Sequence, residues 1–147
     1  WVHETDVIDV MPDDESVLGF KNRWYRHVLQ MYELCEVIEG TTIRIARAPV
    51  FLATKWDAFE DRGEGDWYGS ADIEDIVSVV SGRAELVDEI GASEPELRAY
   101  LVERTVRMID SGLMEDVVTG ALPDAAQIPG LLSRVSVRFR EIAEIRR

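Results

Sequence analysis

The 147 residues include one cysteine, two histidines and five prolines. A single cysteine, Cys35, excludes an intramolecular disulfide and a cysteine-built zinc site, and it fits a reduced, cytoplasmic setting. It has no basic neighbour in the sequence and reads as a small buried apolar group. No apolar run approaches the roughly 20 residues that a membrane span needs, so no membrane partner is expected. The opening Trp1-Val2-His3-Glu4-Thr5-Asp6 does not have the basic start and apolar stretch of a signal peptide. Positive charge is also scarce: 16 Lys+Arg stand against 29 Asp+Glu, a net charge of −13. Non-specific nucleic-acid binding rests on neutralising phosphates with Lys and Arg, so a coat for DNA is excluded. One phosphate-bearing ligand in a local basic pocket is compatible with this balance, and so is a divalent-metal enzyme. Solubility is the commoner reason for such acidity. The chain does not open with methionine and enters a strand pattern almost at once, which reads as the C-terminal part of a longer gene product.

What is present is enough for one core. Apolar residues make up 46% of the chain, and the length suits about one domain. Asp6-Val7-Ile8-Asp9-Val10-Met11, closed by Pro12, reads as a short buried strand. A helix is predicted from Asn22 to about Leu34. Gly40-Thr41 separates two extended runs, Cys35–Glu39 and Thr42–Ala46. The second alternates apolar and polar residues, as a strand covered on one face does. From Ala48 the period becomes helical, with Pro49 in a first turn and an end at Gly63. Ser70 is the expected N-cap of a helix through Val80, with Ile73, Ile76, Val77 and Val80 on one face. Shorter helical stretches follow at Ala84–Ile90 and Leu113–Leu122. Between them Ser93 and Glu96 have capping-box spacing ahead of a helix that turns Leu97, Leu101, Met108 and Ile109 inward. After Pro123 the last helix has Leu131, Leu132, Val135, Phe139 and Ile142 at helical spacing. The expected class is α+β, divided into an α/β part over residues 1–82 and a helical part over 83–147.

Three features could carry chemistry. Asp9 interrupts an apolar strand, where an ionised carboxylate is costly unless it is paired or holds a metal. A salt-bridged acid at a sheet edge is the plainer explanation. Lys55 lies one turn from both Phe51 and Phe59, on an apolar stripe, and either snorkels outward or reaches an anion. Asp72 and Asp75 share one side of a helix; acids that favour the helix dipole account well for Asp72 and less well for Asp75. His3 and His27 form no metal pair by spacing, and Trp24, Trp56 and Trp67 read as core or loop anchors. Gly69-Ser70-Ala71-Asp72-Ile73-Glu74 superficially matches a Gly-Ser…Asp-x-Asp/Glu nucleotidyltransferase signature. Its spacing is too short, however, and its acids open a helix.

In order and spacing, the chain resembles the C-terminal two-thirds of AbiEii/MenT-type nucleotidyltransferase-like proteins, within the polymerase-beta-like nucleotidyltransferase superfamily. The resemblance rests on Val7-Ile8-Asp9-Val10-Met11-Pro12, on Leu18-Gly19-Phe20-Lys21-Asn22-Arg23-Trp24-Tyr25 and on the phrase from Pro49 to Phe59. Arg62-Gly63 and Ser70-Ala71-Asp72-Ile73-Glu74-Asp75-Ile76 extend it, so that it covers residues 6 to about 90. It implies a mixed sheet flanked by helices, then a helical region. It implies transfer of a nucleoside monophosphate from a nucleoside triphosphate to an acceptor, RNA or protein, at a Mg²⁺ site built from three strand carboxylates. Asp9 then matches the third metal carboxylate, and Lys55 lies near the triphosphate. Asp72 matches the acid of the later motif, Asp75 supports it, and Arg44 and Arg47 add positive potential near the nucleotide. The family's Gly-Ser turn and Asp-x-Asp pair would precede residue 1, which implies weak nucleotide binding and little turnover by this chain alone. The alternative expectation is a non-catalytic interaction protein, a toxin–antitoxin component or a homodimer through an exposed sheet edge. The basic last helix, with Arg134, Arg138, Arg140, Arg146 and Arg147, is the local candidate for touching RNA; a solvated face is the simpler account.

Overall fold

The computed structural model describes residues 22–62, 65–122 and 127–146, with the backbone alone at residues 2–3, 6–7 and 62. Residues 8–21, with Asp9, Lys21, the remainder of the expected first strand and the loop after it, lie outside the described residues. The backbone of β1 (Val2–His3) pairs antiparallel with β2 (Asp6–Val7). A second antiparallel hairpin is made by β3 (Tyr32–Ile38) and β4 (Thr41–Ala46). The described helices are α1 (Tyr25–Val28), α2 (Ala48–Arg62), α3 (Ala71–Gly82), α4 (Leu86–Gly91), α5 (Pro95–Asp110), α6 (Met114–Ala121) and α7 (Leu131–Glu144). The class is therefore α+β, with helices dominant.

The helix expected over Asn22–Leu34 is corrected to a single turn, α1, followed after the turn at Leu29–Met31 by β3. One turn fixes many dihedrals for few hydrogen bonds and does not propagate without a reason. Tyr32–Ile38 has a reason to do otherwise: its pairing runs from Tyr32 opposite Ala46 to Ile38 opposite Thr41, with an irregularity between Glu36 and Ile38. Gly40 takes φ +79° in the two-residue turn, a left-handed conformation that glycine adopts without strain, and its N–H donates to Glu36 Oε1 at 2.8 Å. Neither hairpin strand is covered along its length. Leu34 and Ile38 are 69% and 68% exposed, and Val37 and Ile43 are exposed as well. The one-face cover expected for β4 is confined to its end at Ile45 and Ala46. Cys35, expected to be buried, is only half-buried.

The helical readings fare better because their apolar period is long. α2 matches the expected span and lies at the centre, in contact with α1, α3, α4 and α5. Val50, Leu52, Ala53, Trp56, Ala58 and Phe59 are buried along it, so this helix is apolar over most of its circumference, as a central helix must be. α3 begins after Ser70 as expected, although the Ser70 side chain makes no capping bond. The Ser93–Glu96 capping box is also corrected. Glu94 is the N-cap of α5 and Pro95 occupies its first turn, while Ser93 Oγ donates to Glu89 O at 2.8 Å and so serves α4 instead. One cluster of buried side chains runs from Trp24 through α2, α3 and α5 to Phe139 and Ile142 of α7, taking residues from both sides of position 82. No described helix is long and apolar enough to cross a membrane.

Candidate functional site

The site is built where α2 crosses α3. Lys55 lies on the face of α2 turned to the first two turns of α3, one turn after Phe51, whose ring is 5.5 Å from the ammonium. Asp72 and Asp75, three residues apart, lie on the side of α3 that meets it. Lys55 Nζ is 2.6 Å from Asp75 Oδ2 and 3.3 Å from Asp72 Oδ1. The two acids differ in setting: the Asp72 side chain is 8% exposed and that of Asp75 is 47% exposed. Three of the residues singled out from the sequence are thus brought into one cluster across separations of 17 and 20 positions.

Burial pulls the Lys55 pKa down, but the hydrogen bonds and charges of Asp75 and then Asp72 outweigh it, and the net shift is upward from the ordinary lysine value. The amine is therefore a permanent cation near neutral pH. A general base or a Schiff-base nucleophile needs the neutral amine, so Lys55 is suited to holding negative charge, not to moving a proton.

A groove of about 270 Å³ lies between the β3–β4 hairpin and the α2–α3 pair, lined by Glu33, Ile45, Ala46, Phe51, Val79 and Arg83 among others. Phe51 precedes Lys55 by one turn and Val79 follows Asp75 by one turn, so the ion cluster stands at the end of this groove. Arg83 closes another side, bonded to Glu89 at 2.7 Å and to Glu33 at 3.4 Å, which ties the hairpin to the helices.

The other expected site residues are placed differently. Arg44 stacks on the Tyr32 ring at 4.6 Å, and Arg47 Nε donates to Tyr32 O at 3.4 Å; both belong to the hairpin, not to the Lys55 cluster. Asp9 lies outside the described residues. Among the described residues no group of three or more His, Cys, Asp or Glu is arranged to hold a metal ion, and Asp72 and Asp75 are turned to an ammonium. In the basic last helix, Arg138 Nη1 donates to the carbonyls of Val80, Ser81 and Arg83 at the end of α3. Arg134 bonds Pro129 O at 3.1 Å, and Arg140 pairs with Glu115 at 3.0 Å. Those three arginines serve contacts within the chain.

A second cluster escaped the sequence reading. Trp56 and Phe59 of α2, Trp67, Glu60, Arg104 and Arg107 line a cavity of about 210 Å³. In the sequence Trp56 and Trp67 read as core or loop anchors, and nothing local links them to two arginines on a helix about 40 residues further on.

No protein-family model, no curated protein and no solved structure matches this chain.

Proposed function

We infer that the chain is part of a nucleotidyltransferase-like protein, in which Lys55 holds the polyphosphate of a nucleoside triphosphate. The observation that carries this reading is the convergence of Lys55, Asp72 and Asp75 at the end of a groove, with the lysine kept charged. An ammonium has three donors; the two carboxylates engage two, and on this reading the third reaches a phosphate oxygen. Asp72 and Asp75 orient the amine and hold it in its cationic form. The apolar groove beside it, walled by Ile45, Phe51 and Val79, offers a surface for the nucleoside. Mg²⁺ would supply Lewis-acid stabilisation of the transferring phosphate at carboxylates of the Asp9 kind. The described residues do not by themselves make that set. The mixed sheet of the nucleotidyltransferase class is part of the same proposal.

The test is calorimetric titration of the chain with a nucleoside triphosphate and Mg²⁺. Lys55→Ala is expected to weaken binding about tenfold, the worth of one charge-assisted hydrogen bond. Lys21→Ala, the only other lysine substitution the sequence allows, is expected to have little effect. Equal losses from the two variants would remove the case for Lys55.

A second reading is favoured by the hairpin. Leu34, Val37, Ile38 and Ile43 are all exposed on it, and within the described residues β3 and β4 pair only with each other. A homodimer through this edge would cover them. Analytical ultracentrifugation of the wild type and of Ile38→Lys separates the two readings. A dimer that dissociates in the variant favours an interaction module, and a monomer in both sets it aside.

A further inference from the structure

The cavity at the far end of α2 has a composition that points to a ligand unrelated to the Lys55 cluster, with which it shares no lining residue. Its walls are aromatic. The Phe59 and Trp67 rings lie 4.8 Å apart at 54°, and Trp56 stands nearly edge-on to both, at 6.2 Å and 69° from Trp67 and 6.2 Å and 71° from Phe59. Mutually tilted rings form a corner that accepts one more ring edge-to-face or offset. The volume, about 210 Å³, is below the roughly 300–1,000 Å³ of pockets for drug-sized ligands, so the space suits a single ring with a short substituent.

The polar wall sets the charge of that substituent. Arg104 Nε and Arg107 Nη1 lie 2.9 Å and 2.5 Å from the same oxygen, Glu60 Oε1. Two guanidiniums and one carboxylate line the cavity, and Glu103, whose exposed carboxylate pairs with Arg104 Nη1 at 3.1 Å, lies outside that lining. Arg104 is held by stacking on the Tyr100 ring at 4.7 Å, by an ion pair with Glu60 and by a hydrogen bond donated to Glu103. Arg107 is mostly exposed and can turn from a solvent-screened ion pair to a ligand at small cost. Aromatic walls alone would attract a cation, but a pair of arginines at the same mouth repels one. We propose that this cavity binds a small single-ring aromatic anion, its ring in the Trp56–Phe59–Trp67 corner and its carboxylate or phosphate on Arg107 and Arg104.

The test titrates benzoate and, separately, phenyl phosphate into the full chain, following the indole N–H signals by ¹H–¹⁵N correlation; the two arms separate a carboxylate ligand from a phosphate one. Trp56 and Trp67 line the cavity and Trp24 does not, so Trp24 is the internal control. Saturable shifts at Trp56 and Trp67 with Trp24 unmoved are expected for at least one of the two anions. Arg107→Gln is expected to weaken that binding about tenfold and Arg107→Lys to retain most of it. Because Arg107 is exposed, both variants should keep the remaining signals in place, which separates a binding loss from misfolding. No saturable shift with either anion, benzylamine binding as tightly as benzoate, or an Arg107→Gln variant that binds like wild type would each overturn the proposal.

Discussion

Lys55 has two acidic partners, and the nearer of them need not matter more. Asp75 is closer, but its side chain is 47% exposed, so the attraction is screened and side-chain ordering offsets it; a coupling below about 1 kcal/mol is expected. Asp72 is 8% exposed and stays costly to leave without its cation. A double-mutant cycle over Lys55→Met and Asp72→Asn should give a coupling of about 1–3 kcal/mol, larger than the Asp75 cycle, in urea denaturation. An equal or inverted order would show that distance outweighs burial here. The same lysine sets a pH dependence. Its folded pKa is raised above the unfolded value near 10.5, so its contribution to stability is fully present below about pH 10.5 and is lost as pH rises through the folded value. Burial also raises the Tyr100 pKa, which acts in the same direction. The difference between wild type and Lys55→Met cancels the tyrosine part, and that difference is expected to shrink above pH 10.5.

At the level of elements, the end of α3 rests on a residue from the far end of the chain. The last carbonyls of a helix have no partner of their own, and at Val80, Ser81 and Arg83 the half-buried Arg138 guanidinium supplies one while placing positive charge at the negative end of the helix dipole. Arg138→Met is expected to cost about 1–3 kcal/mol and to speed amide exchange in the last turn of α3. Arg140→Met on the same helix removes an exposed pair with Glu115 and is expected to cost under about 0.5 kcal/mol. Such links explain what was legible in the sequence. α2, α3, α5 and α7 show in the apolar period because each turns a long stripe to one core. The stretch 22–34 misled because a few apolar residues at helical spacing compete with strand pairing to residues 41–46, and the pairing partner is invisible locally. Ser93 has capping-box spacing, yet Pro95 shifts the start of α5 and frees Ser93 for Glu89. Lys55 and Asp72 could be singled out one at a time, Lys55 by an ammonium on an apolar stripe. Their meeting follows from how α2 crosses α3. The aromatic cavity was not legible at all, since nothing local in the sequence links Trp56 and Trp67 to Arg104 and Arg107 until α5 is laid against α2.

For the molecule as a whole, the division expected at position 82 is not a boundary in packing. Val50 and Ala53 of α2 are fully buried in one cluster with Leu97, Leu101 and Met108 of α5 and Val135, Phe139 and Ile142 of α7. Ion pairs cross the same line, from Glu60 to Arg104 and Arg107. A fragment ending at residue 82 would expose the apolar side of α2 along most of its length, including Trp56 and Phe59. At about 25 cal/mol per Å² of apolar surface, uncovering several such side chains costs about as much as the roughly 5–15 kcal/mol by which a domain is stable. The full chain is therefore expected to unfold in one transition, with circular dichroism at 222 nm and tryptophan emission superimposing in urea. The fragment 1–82 is expected to lack a cooperative transition and dispersed amide signals. Two resolved transitions, or a fragment that folds alone, would mean that the α2–α5 contact joins two separately stable units, and the cavity containing Trp56, Trp67 and Arg107 would then lie between them instead of inside a single core.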